Sequence, residues 1–210
     1  MKNFAVAICA PSGVGKTTVA RALVEQSPDL AFSVSATTRS ARPGERPGVD
    51  YHFVARSEFE SMIEQGLLLE WAEVHGELYG TPEANLEAAE RDGEQLILDI
   101  DVQGAAQMVA ACPDTVTIFL LPPSFGVLME RLRGRGSEDA SRLRRRMETA
   151  RSELEAMSAF QYMVVNDRLE EAVGRIRSII VAEGQKSSRS GQDLEELRQR
   201  LLQALANEDV

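Results

Sequence analysis

Hydrophobic positions along this chain follow two rhythms. Apolar runs of strand length occur at residues 4–9, 96–100, 115–120 and 163–165. Residues 17–26, 102–111, 124–132 and 169–182 instead space their apolar side chains at helical intervals. A strand reads as a continuous apolar run when helices cover both faces of its sheet. Strand and helix in alternation predict an α/β fold around a central, mainly parallel sheet.

Two stretches interrupt the alternation. Residues 34–92 predict short mixed strands and helices, dense in charge and carrying Tyr51, His52, Phe53, Trp71 and Tyr79. Residues 134–155 predict an Arg-rich helical insertion opened by Gly134-Arg135-Gly136. Both read as excursions from the sheet, the place for mobile, substrate-covering parts. That leaves a core over 4–33, 93–133 and 156–184, then a Ser-rich linker from 185. A final helix over 192–206 puts Leu194, Leu197, Leu201 and Leu205 on one stripe. The stripe fits docking on the core or on a partner chain, as in a homo-oligomer.

Composition narrows the classes. With 210 residues, 43% of them hydrophobic, the chain can fill one sizeable core with small appended subdomains. Its apolar runs are too short to cross a bilayer, and the N-terminal run leads straight into a glycine-rich loop, so cytoplasmic location is expected. A net charge of −10 argues against general affinity for nucleic acid. Cys9 and Cys112 lack the spacing of a metal site or disulfide framework, and Cys9 reads as a small core residue. His52 and His75 likewise read as structural or surface residues.

The segment Ala10-Pro11-Ser12-Gly13-Val14-Gly15-Lys16-Thr17 follows an apolar strand and opens a helix, the context of a phosphate-binding P-loop. Small residues let backbone N–H groups converge on a phosphate at the positive end of the helix. Lys16 offers a point charge to the β- and γ-phosphates, and the Thr17 hydroxyl a ligand for Mg²⁺. Thr18 follows in the same turn. Ala10 replaces the usual first glycine, which is tolerable where no positive φ is needed. The chain holds three lysines, Lys2, Lys16 and Lys186, so its one interior lysine stands in this loop. A second strand end, Leu96-Ile97-Leu98-Asp99-Ile100-Asp101, closes on two carboxylates that strand periodicity places on one side. One would serve hydrated Mg²⁺ and the other a substrate base, because ligands gather at the carboxyl ends of parallel strands.

Further motifs carry a resemblance. Ser35-Ala36-Thr37-Thr38-Arg39-Ser40-Ala41-Arg42-Pro43-Gly44-Glu45, then Gly48-Val49-Asp50-Tyr51-His52-Phe53, resembles the nucleotide-monophosphate region of guanylate kinases. With the P-loop, Glu70-Trp71-Ala72-Glu73, Tyr79-Gly80-Thr81, residues 98–104 and 131–136, and Val165-Asn166-Asp167, the resemblance spans about residues 4–183. It implies a three-layer P-loop NTPase-type fold with a GMP-binding subdomain at 34–92 and a helical lid at 134–155. The implied reaction is ATP + GMP = ADP + GDP, with dGMP as a further acceptor and Mg²⁺ as cofactor. Arg39, Arg42, Tyr51 and Tyr79 suit a monophosphate dianion, since Arg gives bidentate charge-assisted bonds and phenols add neutral donors.

The resemblance assigns Glu70 and Asp101 to guanine, with Ser35 and Thr81 assisting. Carboxylates accept from the N1–H and 2-amino donors of guanine and repel the acceptor edge of adenine. Residues 131–151 hold eight arginines against three acids, a sharp reversal in an acidic chain. Arginines closing over transferring phosphates stabilise their charge. The resemblance selects Arg131, Arg135 and Arg146 for catalysis beside Lys16 and Arg39. It places Asn166 and Asp167 in an adenine-side loop and Asp99 behind a water on Mg²⁺. Two other readings fit the scaffold: a non-catalytic binding module, or a kinase acting on a ribose bisphosphate.

Overall fold

The structure is a computed structural model that describes residues 3–74, 76–133, 140–189 and 191–207. A five-stranded parallel sheet forms the core in the order β2 (Leu30–Phe32), β7 (Gln95–Asp99), β1 (Ala5–Cys9), β8 (Val116–Leu121) and β9 (Tyr162–Val165). Period-two alternation divides β1 between two cores. Val6 and Ile8 join Leu23, Ile118, Leu120 and Ile176 on one face, while Ala5, Ala7 and Cys9 join Leu98, Met108 and Phe119 on the other. Helices α1 (Lys16–Glu25), α5 (Phe125–Arg133) and α7 (Leu169–Gly184) cover the first face. Helices α3 (Glu83–Asp92) and α4 (Val102–Ala111) cover the second. This is the expected three-layer arrangement.

The first excursion is a four-stranded sheet in the order β4 (His52–Phe53), β3 (Ala36–Thr37), β6 (Glu77–Pro82) and β5 (Leu68–Val74). Helix α2 (Arg56–Glu64) packs Phe59 against Ala36 and Leu78 to give it a small core of its own. On the side of β5 away from β6, the Gln107 side chain of α4 donates to Trp71 O at 2.7 Å and accepts from Trp71 N at 3.1 Å. The excursion is thus tied to the core beside Glu70. The second excursion contributes α6 (Ala140–Glu155), which packs against α5.

Helix α8 (Gln192–Asn207) completes the chain. Its residues Leu194, Leu197, Leu201 and Leu205 are all exposed, so the stripe does not dock on the core. His52 lies exposed on β4, and His75 falls outside the described residues. Among the described residues no helix is long and apolar enough to cross a membrane.

Candidate active site

The loop between β1 and α1 is shaped by two left-handed residues, Gly13 at φ 84° and Gly15 at φ 93°. A side chain at either would also collide. A Cβ on Gly13 would meet the Arg131 backbone oxygen at 3.2 Å, and one on Gly15 would meet Asn166 Nδ2 at 3.2 Å. Two flanking side chains hold the loop from outside: Arg131 Nη1 and Asn166 Nδ2 both donate to Val14 O, at 2.9 and 2.7 Å. Ala10 is buried in the same apolar cluster as Val14 and Leu132, so the methyl in place of the first glycine is part of the core.

Lys16 reaches across to the end of β7. Its Nζ sits 2.9 Å from Asp99 Oδ1 and donates to Ile100 O at 2.5 Å. Burial works against its charge, but Asp99 outweighs burial and holds the ammonium above its ordinary pKa. The Thr17 hydroxyl donates to Asp99 Oδ2, leaving its own lone pairs free to face a cation. No group of three or more His, Cys, Asp or Glu suited to a metal occurs among the described residues. A cation beside Thr17 would take one or two protein oxygens and draw the rest from phosphate and water, the habit of Mg²⁺. Beneath this site the Cys9 thiol is pushed up to about 12 by burial and donates to Asp101 O, consistent with an inert core residue.

Asp101 departs from the strand-periodicity expectation. The strand stops at Asp99, and Asp101 instead caps α4, accepting from Gly104 N at 2.8 Å. It still lines one cleft of about 500 Å³ together with Ser35, Tyr51, Glu70, Tyr79, Asp99 and residues 10–18 of the loop. Glu70 is buried there, receiving the Thr81 hydroxyl on Oε1 at 2.6 Å. Burial, reinforced by the nearby Asp101 charge, pushes its carboxyl up to about 7 despite the Thr81 bond.

An adjoining cavity of about 250 Å³ brings Arg39 and Arg42 together with Tyr51, Tyr79 and Thr17. Arg39 is already engaged: Nη1 and Nη2 each donate to Glu45 at 2.9 Å, and its guanidinium lies over the Tyr51 ring at 5.3 Å. Glu45 also accepts from Arg42 N at 2.7 Å, so one carboxylate shapes the whole turn.

Of the three arginines expected of a lid, Arg131 and Arg146 lie within the described residues. Arg131 touches the loop through Val14, and Arg146 of α6 donates to Leu132 O. Arg135 lies outside the described residues. Asn166 is buried under the loop, whereas Asp167 is exposed past the end of β9.

Among the residues of this site that carried no assignment from sequence are two glutamates. Glu45 lies inside a quoted motif, where its spacing from Arg39 and Arg42 was the available signal. Glu153 of α6 lines the main cleft and accepts from Ser12 N at 3.1 Å. It stands seven residues from Arg146, two turns along the same helix face, which is the periodicity that could have pointed to it.

The guanylate kinase family model matches residues 2–183. A guanylate kinase of Syntrophotalea carbinolica is 50% identical over 182 residues, 87% of each chain. One from Corynebacterium diphtheriae is 48% identical over 178 residues, 84% of this chain and 93% of its own. The crystal structure of the Anaplasma phagocytophilum guanylate kinase superposes with a TM-score of 0.78 at 36% identity, covering 95% of this chain and 96% of that one.

Proposed function

The chain belongs to the guanylate kinase family, and from that premise we propose how its residues carry phosphoryl transfer from ATP to GMP. The observation that supports the division of labour is the shared cleft. The glycine loop with Lys16 and Thr17, the carboxylates Glu70 and Asp101, and Tyr51 and Tyr79 all line it, and Thr81 bonds to Glu70.

ATP lays its phosphates along residues 10–18, where backbone N–H groups, the α1 terminus and Lys16 oppose their charge. Thr17, backed by Asp99, would hold Mg²⁺, and the ion when bound would supply positive charge against the triphosphate. GMP places N1–H and its 2-amino group on Glu70 and Asp101, with Ser35 and Thr81 beside them. Its phosphate lies against Arg39, Arg42, Tyr51 and Tyr79. A GMP phosphate oxygen then attacks the γ-phosphorus in line. The bond to the β,γ-bridging oxygen breaks, its electron pair leaves with ADP, and no enzyme intermediate forms. Lys16, with Arg131, Arg135 and Arg146, stabilises charge on the transferring oxygens. Asn166 and Asp167 take the adenine side, and the reaction runs in the cytoplasm.

A panel of GMP, dGMP, AMP, CMP, UMP and ribose phosphates, read by ADP release, tests this reading. Transfer to GMP and dGMP alone is expected. Comparable rates with several bases would overturn the guanine assignment of Glu70 and Asp101, and preference for a ribose phosphate would overturn the acceptor.

A further inference from the structure

The P-loop already carries a carboxyl group in this structure, supplied by the protein itself. Glu153 Oε2 accepts a hydrogen bond from the Ser12 backbone N–H at 3.1 Å. That N–H belongs to the set that a glycine-rich loop directs at nucleotide phosphate. The Glu153 carboxylate lines the same cleft as Lys16 and lies within its electrostatic reach, with Asp101 the opposing negative charge nearby. A carboxylate so placed offers the loop what a phosphate offers, namely negative oxygen at a converging donor.

We propose that Glu153 is a positioning residue that stands in for phosphate in the nucleotide-free enzyme and is displaced when ATP fills the loop. Its location gives the displacement a consequence. Glu153 lies near the end of α6, and Arg146 lies two turns earlier on the same helix, bonded to Leu132 O. The Ser12 contact pins that helix to the loop. Phosphate entering the loop removes this contact at the end of α6, which Leu143, Ala150 and Leu154 otherwise hold against the core, and so biases the helix toward a position with Arg146 over the transferring group. Loop occupancy and lid position thereby become one equilibrium, in which ATP competes against an internal anion. Burial favours the protonated form of Glu153, while the Ser12 bond and Lys16 favour the charged one.

The inference rests on the assignment of the loop to ATP, so the test separates the two. Equilibrium binding of ATP, inorganic tripolyphosphate and GMP is measured by calorimetry for the unmodified enzyme, Glu153→Gln, Glu153→Ala and Lys16→Ala. Glu153→Ala is expected to bind ATP and tripolyphosphate about tenfold more tightly, the worth of a hydrogen bond to a charged group, and Glu153→Gln, whose amide oxygen still accepts from Ser12 N, to gain by a smaller factor. GMP affinity stays within twofold, and turnover falls because ADP leaves more slowly. Glu153→Gln is close to isosteric, and an unchanged melting temperature shows that it folds. Unchanged or weaker ATP binding in both variants overturns the proposal while leaving the loop assignment intact. Failure of Lys16→Ala to weaken ATP binding overturns the loop assignment and the proposal with it.

Discussion

A Cβ on Gly104 would stand 2.4 Å from Glu70 Oε2, so the first turn of α4 and the buried carboxylate share space that only glycine leaves open. Gly104 is also the residue whose N–H binds the Asp101 side chain. Both acidic groups assigned to guanine therefore depend on this one position. Gly104→Ala is expected to push Glu70 out of line and raise KM for GMP at least tenfold, with KM for ATP changed less than twofold. Steady-state kinetics with each substrate varied in turn checks this.

Glu70 gives the site a pH dependence of defined sign. Guanine donors need an ionised carboxylate, and its pKa is raised to about 7. KM for GMP is expected to rise about tenfold from pH 8 to pH 6, as one proton closes the acceptor. The GMP phosphate titrates in the same range, so Glu70→Gln, in which that phosphate alone still titrates, isolates the part due to Glu70.

The same shift bears on stability. A carboxyl whose folded pKa lies above its unfolded value favours the folded state below the unfolded pKa, and that advantage is lost as pH rises toward 7. Ionised Glu70 thus weakens the fold by something on the order of 3 kcal/mol at pH 8. Glu70→Gln should be more stable than the unmodified protein at pH 8 and lose most of that margin at pH 5, while binding GMP poorly. Urea denaturation at both pH values measures the difference.

Lys16 bridges Asp99 and Ile100 O in the wall of the cleft. Lys16→Ala is expected to keep the fold, as far-ultraviolet circular dichroism would report, and to reduce kcat by about a thousandfold, the scale for losing a preorganised charge. Near-normal turnover would remove Lys16 from the mechanism.

Away from the cleft, Glu183 and Arg189 form a buried ion pair; Glu183 also takes Lys186 at 2.6 Å, and Arg189 lies over the Phe4 ring at 4.2 Å. Burial alone would raise the Glu183 carboxyl, but Lys186, Tyr162 and Arg189 together hold it below the ordinary range. Arg189→Met leaves a buried carboxylate short of its main partner and should cost about 3 kcal/mol in chemical denaturation. Activity at 25 °C should persist, since neither residue approaches the cleft.

Legibility followed how local each signal is. Strands β1, β7 and β8 are buried almost throughout, so their apolar runs announced them, and the phosphate loop is contiguous in sequence. Strand β2 escaped notice because it is three residues long with only Leu30 fully buried. Strands β3 and β4, two residues each, are too short to show any period. Asp101 looked like a continuing strand residue, yet its capping bond to Gly104 turns the chain into α4. Glu153 left only its seven-residue spacing from Arg146 as a signal: its partner Ser12 lies 141 residues away, and no local pattern encodes that pairing.

The placement of β1 also sets a schedule for the chain's own synthesis. The strand leading into the phosphate loop is flanked by β7 and β8, whose registers run to Asp99 and Phe119. A nascent chain emerging N-terminus first must therefore carry Val6, Ile8 and their neighbours without β7 until Asp99 has left the ribosome, and without β8 until Phe119 has. Such long-range pairing slows folding and leaves an adhesive strand exposed meanwhile. Ribosome-bound chains stopped short of residue 121 should remain protease-sensitive near the N-terminus, and those extended beyond β8 should gain protection there in a single step.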